Sequence, residues 1–435
     1  MDGNSNTESY DDSESEDEKE DLKRKMGAAI STVQSEAIFR NALASALSVE
    51  QYLQHPGRGN GLWVKRSRRR INNMVLSPYD YYVVDNDRVG FKKRIGFEPS
   101  EFEDIIAKSN GLILELIDLP RDLDPARAPD DPENVARLRN RKKPSIQSAR
   151  ARLFQFLMYM RSHDGFWSAQ QGAHLAKSSL CDDFYWVLKC FLHCYGCKVA
   201  LPDSAERLEL EGKIEHFPTA ILLVDSTLVQ VEPSADEQQA FRNVKHQKHG
   251  VLHQIAVDYR GRVRHLTLGI PGGNVDATIF RKSELYLEKD FIYQKIDAAG
   301  VVTELYYRCM TDCGYLGYGG VCIYPKTNAQ VYANGRTDVD IAQDLADNSR
   351  IRRARVINEM CIGRLKRWWK AAGEMQRQYC TDLVKIRRVF LAACCLQNMT
   401  WELRGYPMDG VSEQEWERRL DWFIEHGDED DVDDD

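Results

Sequence analysis

Four consecutive apolar residues, Ile221 to Val224, end at an acid, Asp225, and apolar positions then resume in "LVQVEP". A short aliphatic run of this length, closed by Pro233, predicts a buried strand over "TAILLVDSTLVQVEP". Residues 249–272, "HGVLHQIAVDYRGRVRHLTLGIPG", predict two further strands joined by a turn at Tyr259, Arg260, Gly261 and Arg262. The pattern next predicts a helix over "NVDATIFRKSELYLE", a strand over "ELYYRCMTDCGYLG" that ends at Asp312, and a short strand at "GVCIYP". From about residue 339 to 403 the apolar spacing is helical again. Three early strands, a helix, further strands and long helices predict an α/β layer built on a mixed sheet.

Upstream the texture differs. "EPSEFEDIIAKSNGLILELI" predicts a helix capped near Ser100, and "DLPRDLDPARAPDDPEN", with four prolines, predicts an exposed linker. "SARARLFQFLMYMRS" predicts an amphipathic helix. "FWSAQQGAHLAKSSLCDDFYWVLKCFLHCY" predicts two more helical stretches with a short break at "KSSL". Three helices with a tight break fit a helix-turn-helix that docks on DNA, and they fit a plain helical packing domain equally well. The expected organisation is therefore an acidic disordered tail (1–25), an N-terminal helical region and linker (26–144), a helix-turn-helix-like block (145–200), an α/β domain (215–405) and a second acidic tail (421–435). No internal repeat is visible.

Charge sharpens this division. The 435 residues carry a formal net charge of −8, but residues 1–21 and 421–435 each carry −9, so residues 22–420 carry +10. A basic body suits a polyanionic partner, and acidic ends compete with that partner or keep the chain soluble. Lys65, Arg66, Arg68, Arg69 and Arg70 in "LWVKRSRRR" form a nuclear import signal, a phosphate-contacting patch or a solvated basic run. No apolar run reaches the roughly 18–20 residues of a membrane span, and the acidic start lacks the apolar core of a signal peptide. We expect a soluble intracellular protein. Eleven cysteines are then reduced thiols rather than a disulfide framework. Cys190, His193, Cys194 and Cys197 have spacings that could bind zinc, but the apolar helical pattern around them favours buried core.

Three acids carry candidate chemistry. Asp225 and Asp312 each stand at the end of an apolar strand. Strands lying side by side would bring the two carboxylates together, and adjacent carboxylates repel unless a cation lies between them. The third is Glu359 in "SRIRRARVINEMCIGRLKRWWK". Helical geometry puts Ile357, Cys361, Leu365 and Trp368 on one stripe, and Glu359 on the other side with Arg352, Arg355, Lys366 and Lys370. Taken alone, this is a solvated face with Glu359 paired to Arg355 or Lys366. In company with the two aspartates, Glu359 can complete a site for two Mg²⁺ ions, ringed by cations that hold DNA phosphates.

Taken in order, these residues resemble the transposases of PIF/Harbinger DNA transposons and their domesticated relatives, over about residues 150–403. "VDST" (Asp225, Ser226, Thr227) is similar to the family's aspartate-glycine-threonine, and "FRNVKHQKHGVLHQIAVD" to its lysine-glycine-histidine segment. "GIPGGNVDATIFRKSEL" puts Asp276 at a family aspartate. "TDCGYLG" resembles aspartate-serine-glycine-tyrosine. "RVINEMCIGRLKRWW" matches the closing element at Arg355, Glu359, Gly363, Arg364, Leu365 and Lys366. The chain departs from the pattern with Ser226 for glycine, Cys313 for serine, and no phenylalanine before Gly363. The resemblance implies an RNase H-like fold, with Asp225, Asp312 and Glu359 as catalytic metal ligands and Asp276 as an accessory acid. It implies Mg²⁺ or Mn²⁺ as cofactor, and DNA as substrate in the nucleus, with the cytoplasm as a second location. Lys248, Arg352, Arg355, Lys366 and Lys370 become DNA-contacting candidates. A separate Myb-like DNA-binding protein and a further copy of the chain are the implied partners. The alternative is a catalytically silent, domesticated DNA-binding or protein-interaction factor.

Overall fold

The computed structural model describes residues 79, 87–119, 147–162, 177–296, 301–303, 306–373 and 382–405, all within a unit running from Ser77 to Asp435. The acidic tails, the basic run at 62–70, most of the proline-rich linker and the helical stretch expected at 166–176 lie outside the described residues. No helix among the described residues is long and apolar enough to cross a membrane.

The first described helices are α1 (Arg88–Ile95), α2 (Pro99–Ala107), α3 (Leu112–Asp118), α4 (Ala149–Arg161), α5 (Lys177–Tyr195) and α6 (Ser204–Leu210). The single helix expected over 98–117 is two. Asn110 (φ 52°) and Gly111 (φ 81°) take the left-handed conformation between α2 and α3. The cap also falls earlier than expected: Glu98 forms a capping box with Glu101, and Pro99 occupies the first helical position. The break expected at "KSSL" is absent, because α5 runs through it. The amphipathic reading of α4 also fails. Every residue from Ala151 to Met160 is buried, so α4 is the centre of a helical layer. Its buried polar residue Arg152 pairs with Asp183 of α5 at 2.7 Å. Arg152 and Trp186 both donate to the Ile117 carbonyl, one of the oxygens left open at the end of α3.

The remainder runs β1 (Ala220–Gln230), α7 (Gln238–Phe241), β2 (Arg242–Asn243), β3 (Lys248–Val257), β4 (Val263–Pro271), α8 (Asp276–Arg281), α9 (Glu284–Leu287), α10 (Lys289–Ile292), β5 (Lys295–Ile296), β6 (Val302–Thr303), β7 (Arg308–Met310), β8 (Cys322–Ile323), α11 (Asn328–Val331), α12 (Asp338–Trp368) and α13 (Leu383–Arg404). The sheet order is β4-β3-β1-β7-β8, with β2 extending the start of β3. β4, β3 and β1 are antiparallel in turn, whereas β1, β7 and β8 are parallel. This is a mixed α/β fold with a mixed sheet, consistent with an RNase H-like core. The turn between β3 and β4 forms where expected. Asp258 accepts the backbone N–H groups of Arg260 and Arg262 at 3.0 and 3.1 Å, and Gly261 supplies φ 75°. The helix expected over 274–288 splits into α8 and α9 at Ser283, whose hydroxyl donates to the Phe280 carbonyl at 2.6 Å.

One face of the sheet shares a core with α1–α5, α12 and α13. The other packs against α8–α10 and the turn after β7 through Phe280, Leu285, Tyr293 and Tyr315. Helix α12 is unusual in what it buries: Asp344, Asn348, Ile351, Asn358, Cys361 and Leu365. The polar members hold backbone and cations elsewhere in the chain. Asn348 both accepts from the Lys326 N–H and donates to its carbonyl, each at 2.7 Å, and Asp344 pairs with Lys326 and Arg336. The helix is thus fixed to the sheet's far end by hydrogen bonds as well as by apolar contact.

Candidate active site

The site forms where two strands part. β1 pairs with β7 only as far as Leu223 opposite Met310, while its pairing with β3 continues to Gln230 opposite Gly250. Beyond Leu223 the β7 side of β1 is therefore open, and Asp225 lies just past that point. The chain leaves β7 at Thr311. Asp312 is not the last strand residue, as expected, but the cap of a single 3₁₀ turn, Cys313–Tyr315, its Oδ1 accepting the Gly314 N–H at 2.9 Å. A Cβ on Gly314 would stand 2.9 Å from Asp312 Oδ1 and 3.5 Å from Asp276 Oδ2, so the missing side chain lets both carboxylates approach the turn.

Helix α12 brings the third acid. Asn358 is buried, and its Nδ2 donates to the carbonyls of Leu223 and Ile255 at 2.9 and 3.2 Å. The helix is thereby locked onto β1 and β3 one residue before Glu359. One turn earlier, Arg355 Nη2 lies 3.4 Å from Asp225 Oδ2 and 3.6 Å from Glu359 Oε1. The guanidinium bridges the strand acid and the helix acid, so Arg355 is a neighbour of the carboxylates as well as a cation of the helix surface. The Asp225 side chain is 19% exposed and that of Glu359 54%, so the first acid feels its surroundings far more strongly. Burial pushes the Asp225 carboxyl up to about 6, against the pull of Arg355, and nearby Asp312 and Glu359 push in the same direction as burial.

Among the described residues no three histidine, cysteine, aspartate or glutamate side chains are grouped closely enough to hold a metal ion. The chemistry of the donor set nevertheless suits a hard divalent cation: Asp225, Asp312 and Glu359 offer only oxygen. Asp225 is moreover an acid whose anion is penalised by burial and by two acidic neighbours, a penalty that a cation relieves. Arg355 supplies one positive charge at this position, and a divalent ion would compete with it.

With the geometry described, the chain can be set against known proteins. Residues 224–398 match the family model of the DDE superfamily endonucleases. The match begins at the residue before Asp225 and ends in α13, and it supports a DDE transposase-like nuclease. No curated protein and no solved structure matches the chain.

Within the matched segment the other expected residues take distinct places. Asp276 is the first residue of α8. Burial raises its carboxyl, a hydrogen bond from Ser226 lowers it, Asp312 raises it, and Lys245 and His246 lower it. Arg352 is exposed one turn before Arg355, Lys248 is exposed at the start of β3, and Lys370 is exposed beyond the end of α12. Lys366 is no free surface cation. Its Nζ donates to the Leu228 carbonyl at 2.9 Å, and burial, with help from Lys248, pulls its ammonium down to about 8. Ser226 does not crowd Asp225. Neighbouring strand side chains point to opposite faces, and the Ser226 hydroxyl lies 3.2 Å from that of Tyr315, while Asp225 meets Arg355.

Sequence reasoning missed three contributors. Asn358 could have been found as a polar residue three before Cys361 and seven before Leu365, hence in line with the buried stripe. The loop of Lys245 and His246 is held over Asp276 by Asn243, which donates to the Gly272 carbonyl at 3.0 Å and accepts the His246 N–H at 3.0 Å. No short-range pattern announces that contact. Gln254 is placed by the sheet register and Tyr315 by the turn after β7, and the two meet at 2.7 Å.

Proposed function

We propose that the chain is a divalent-metal-dependent DNA endonuclease of PIF/Harbinger type, or a domesticated derivative, which cleaves and transfers DNA strands. The observation that supports this reading is Asp225 at the parting of β1 and β7, linked through Arg355 to Glu359 and raised by nearby Asp312, inside the segment that matches the DDE endonucleases. The ordered motifs from "VDST" to "GRLKRWW" support the Harbinger subfamily. Bound Mg²⁺ or Mn²⁺ would supply an activated water or DNA 3′-hydroxyl and stabilise the leaving oxygen. The three carboxylates would hold the ions. Arg355, drawn from the carboxylates, and exposed Arg352 would hold the phosphate backbone, with Lys248 and Lys370 along the same strand. The reading implies work on DNA in the nucleus, with a separate Myb-like DNA-binding partner and a second copy of the chain.

A second reading is a silent, domesticated DNA-binding or interaction factor. The observation that favours it is the Arg355 guanidinium lodged between Asp225 and Glu359, which pairs with both without a metal. A nicking and strand-transfer assay with Mn²⁺ separates the two. The nuclease reading expects cleavage in the wild type, reduced to background by Asp225→Asn. DNA binding without cleavage supports the silent factor, and cleavage indifferent to Asp225→Asn removes Asp225 from the site.

A further inference from the structure

Within the helical layer, the helices expected to dock on DNA are covered. Every residue of α4 from Ala151 to Met160 is buried, and the exposed described residues of α5 are Asp182, Lys189 and His193. Neither helix offers the basic outer face that a helix set against DNA needs. Helix α1 does. Its sequence, "RVGFKKRI", holds four cations and no acid, and Arg88, Lys92, Lys93 and Arg94 are all exposed. Helix electrostatics accounts for part of this. Cations in the last turn suit the negative end of a helix, and Lys92 also pairs with Glu98 at 2.8 Å. It does not account for Arg88, which stands in the first turn, against the dipole, and four residues before a like charge at Lys92.

Arg161, the last residue of α4, joins this helix to α12. Its Nε donates to the Lys93 carbonyl at 3.0 Å, and its guanidinium lies 4.3 Å from the centre of the Trp368 ring. Trp368 closes α12, beside exposed Arg367 and two residues before exposed Lys370. From Arg367 the exposed face runs back at four-residue spacing through Gly363 to Glu359. A Cβ on Gly363 would meet nothing within 4 Å, so this stretch is open surface. One basic band therefore leads from the helix that carries Glu359, over Arg161, to α1. Among the described residues no acid pairs with Arg88, Lys93, Arg161, Arg367 or Lys370. Like charges along one band repel, and the phosphates of a nucleic acid relieve that repulsion. Trp368, the aromatic ring on the band, is covered by Arg161 and leaves no stacking platform for a single strand, so a duplex is the fitting partner.

We infer that α1 and Arg161 form a docking face for the phosphate backbone of duplex DNA, continuous with the outer face of α12. The helical layer then grips the duplex through α1 and not through α4 or α5. The inference rests on the DNA reading above and extends it to α1, where no DNA contact was expected.

The test is duplex binding by the full chain, read by fluorescence anisotropy over a series of salt concentrations, beside thermal unfolding. We expect Arg88→Gln combined with Lys93→Gln to weaken binding and to reduce the slope of log affinity against log salt by about one unit for each cation removed. The charge-keeping pair, Arg88→Lys with Lys93→Arg, should hold the wild-type slope. So should Lys282→Gln, at an exposed lysine in the layer on the other face of the sheet. Unchanged affinity and slope in the glutamine pair, the result that an acidic polypeptide on this face would give, would overturn the inference. A loss shared equally by the charge-keeping pair or by Lys282→Gln would overturn it too, whether or not the unfolding midpoint moves. A wild type that binds no duplex DNA would sink the inference together with the DNA reading. A wild type that binds with the expected slope but never nicks would sink the nuclease reading alone.

Discussion

Asp225 is an acid whose surroundings favour its protonated form. Its carboxyl titrates at about 6 in the folded chain, against an ordinary value of 3.8. The folded state therefore holds this proton over a range where the unfolded state has released it. Stability from this group falls as pH rises from about 4 to 6, and the cost is fully present at neutral pH. Asp225→Asn should remove that cost: the variant should be more stable than the wild type at pH 7.5, by about 3 kcal/mol. The difference should vanish near pH 4. Equal thermal stability at pH 7.5 would show that Arg355 already offsets the burial. An acid kept at a cost to the fold is what a site for a cation needs. The motifs singled out Asp225 as a candidate, but not its energetic state, which depends on its burial and on Arg355 and Asp312 from distant parts of the chain.

At the scale of elements, α12 shows where sequence reading succeeds and where it stops. Its helical period and its charged outer face are local properties, and the helix lies where the pattern puts it. Its buried side carries Asp344, Asn348 and Asn358, which a search for apolar stripes passes over. The partners of these residues are Lys326, Arg336 and the carbonyls of two strands, all remote in sequence. The same limit explains α4. Its polar residues Arg152 and Gln155 make it read as amphipathic, and contacts such as those to Asp183 and the end of α3 make burial of Arg152 tolerable. The strand order could not be read either, because β7 contributes three residues and its pairing with β1 is set by packing. Asn358→Ala tests the role given to α12. Loss of two hydrogen bonds to buried strand carbonyls should destabilise the chain by about 1–3 kcal/mol. Nicking should fall further than the change in folded population explains, because Glu359 loses its anchor. A loss of nicking that follows folded population alone would leave Asn358 a purely structural residue.

Across the whole molecule, α13 holds the sheet to the helical layer. Glu402 accepts from Lys108 at 2.9 Å, Lys198 at 2.8 Å and Arg262 at 3.4 Å, which joins the end of α2, the segment after α5 and the β3–β4 turn. Asn398 accepts the Val263 N–H at 2.9 Å and donates to the Lys198 and Val263 carbonyls. Between α13 and the sheet lies His253, fully buried and stacked on Phe390 at 4.3 Å. A Cβ on Gly269 would come within 2.6 Å of its ring, so a bare backbone makes the room for the imidazole. Burial, then Arg387 and Lys366, pull His253 down to about 3 from an ordinary 6.5. The unfolded chain takes up this proton first as pH falls. The stability tied to neutral His253 is complete above about 6.5 and is lost on acidification toward 3. In His253→Phe, stability should change with pH by about one proton less over that window. The midpoint itself will also move, because phenylalanine adds bulk beside Gly269. An unchanged slope would mean that the histidine does not titrate with unfolding.

The parting of β1 from β7 also bears on the order in which the chain folds. The hairpins of β3 with β4, and of β1 with β3, close over short stretches of sequence. Asp225 meets Arg355 across 130 residues, and Asn358 reaches Leu223 across 135. Ordering so long a loop is slow relative to closing hairpins. Asp225 and Arg355 therefore meet at the end of folding, and a nascent or partly unfolded chain has not yet brought α12 onto β1. Pulse-labelled hydrogen exchange during refolding should show the amides of β3 and β4 protected before those of α12. Simultaneous protection would mean that α12 docks as the sheet itself forms.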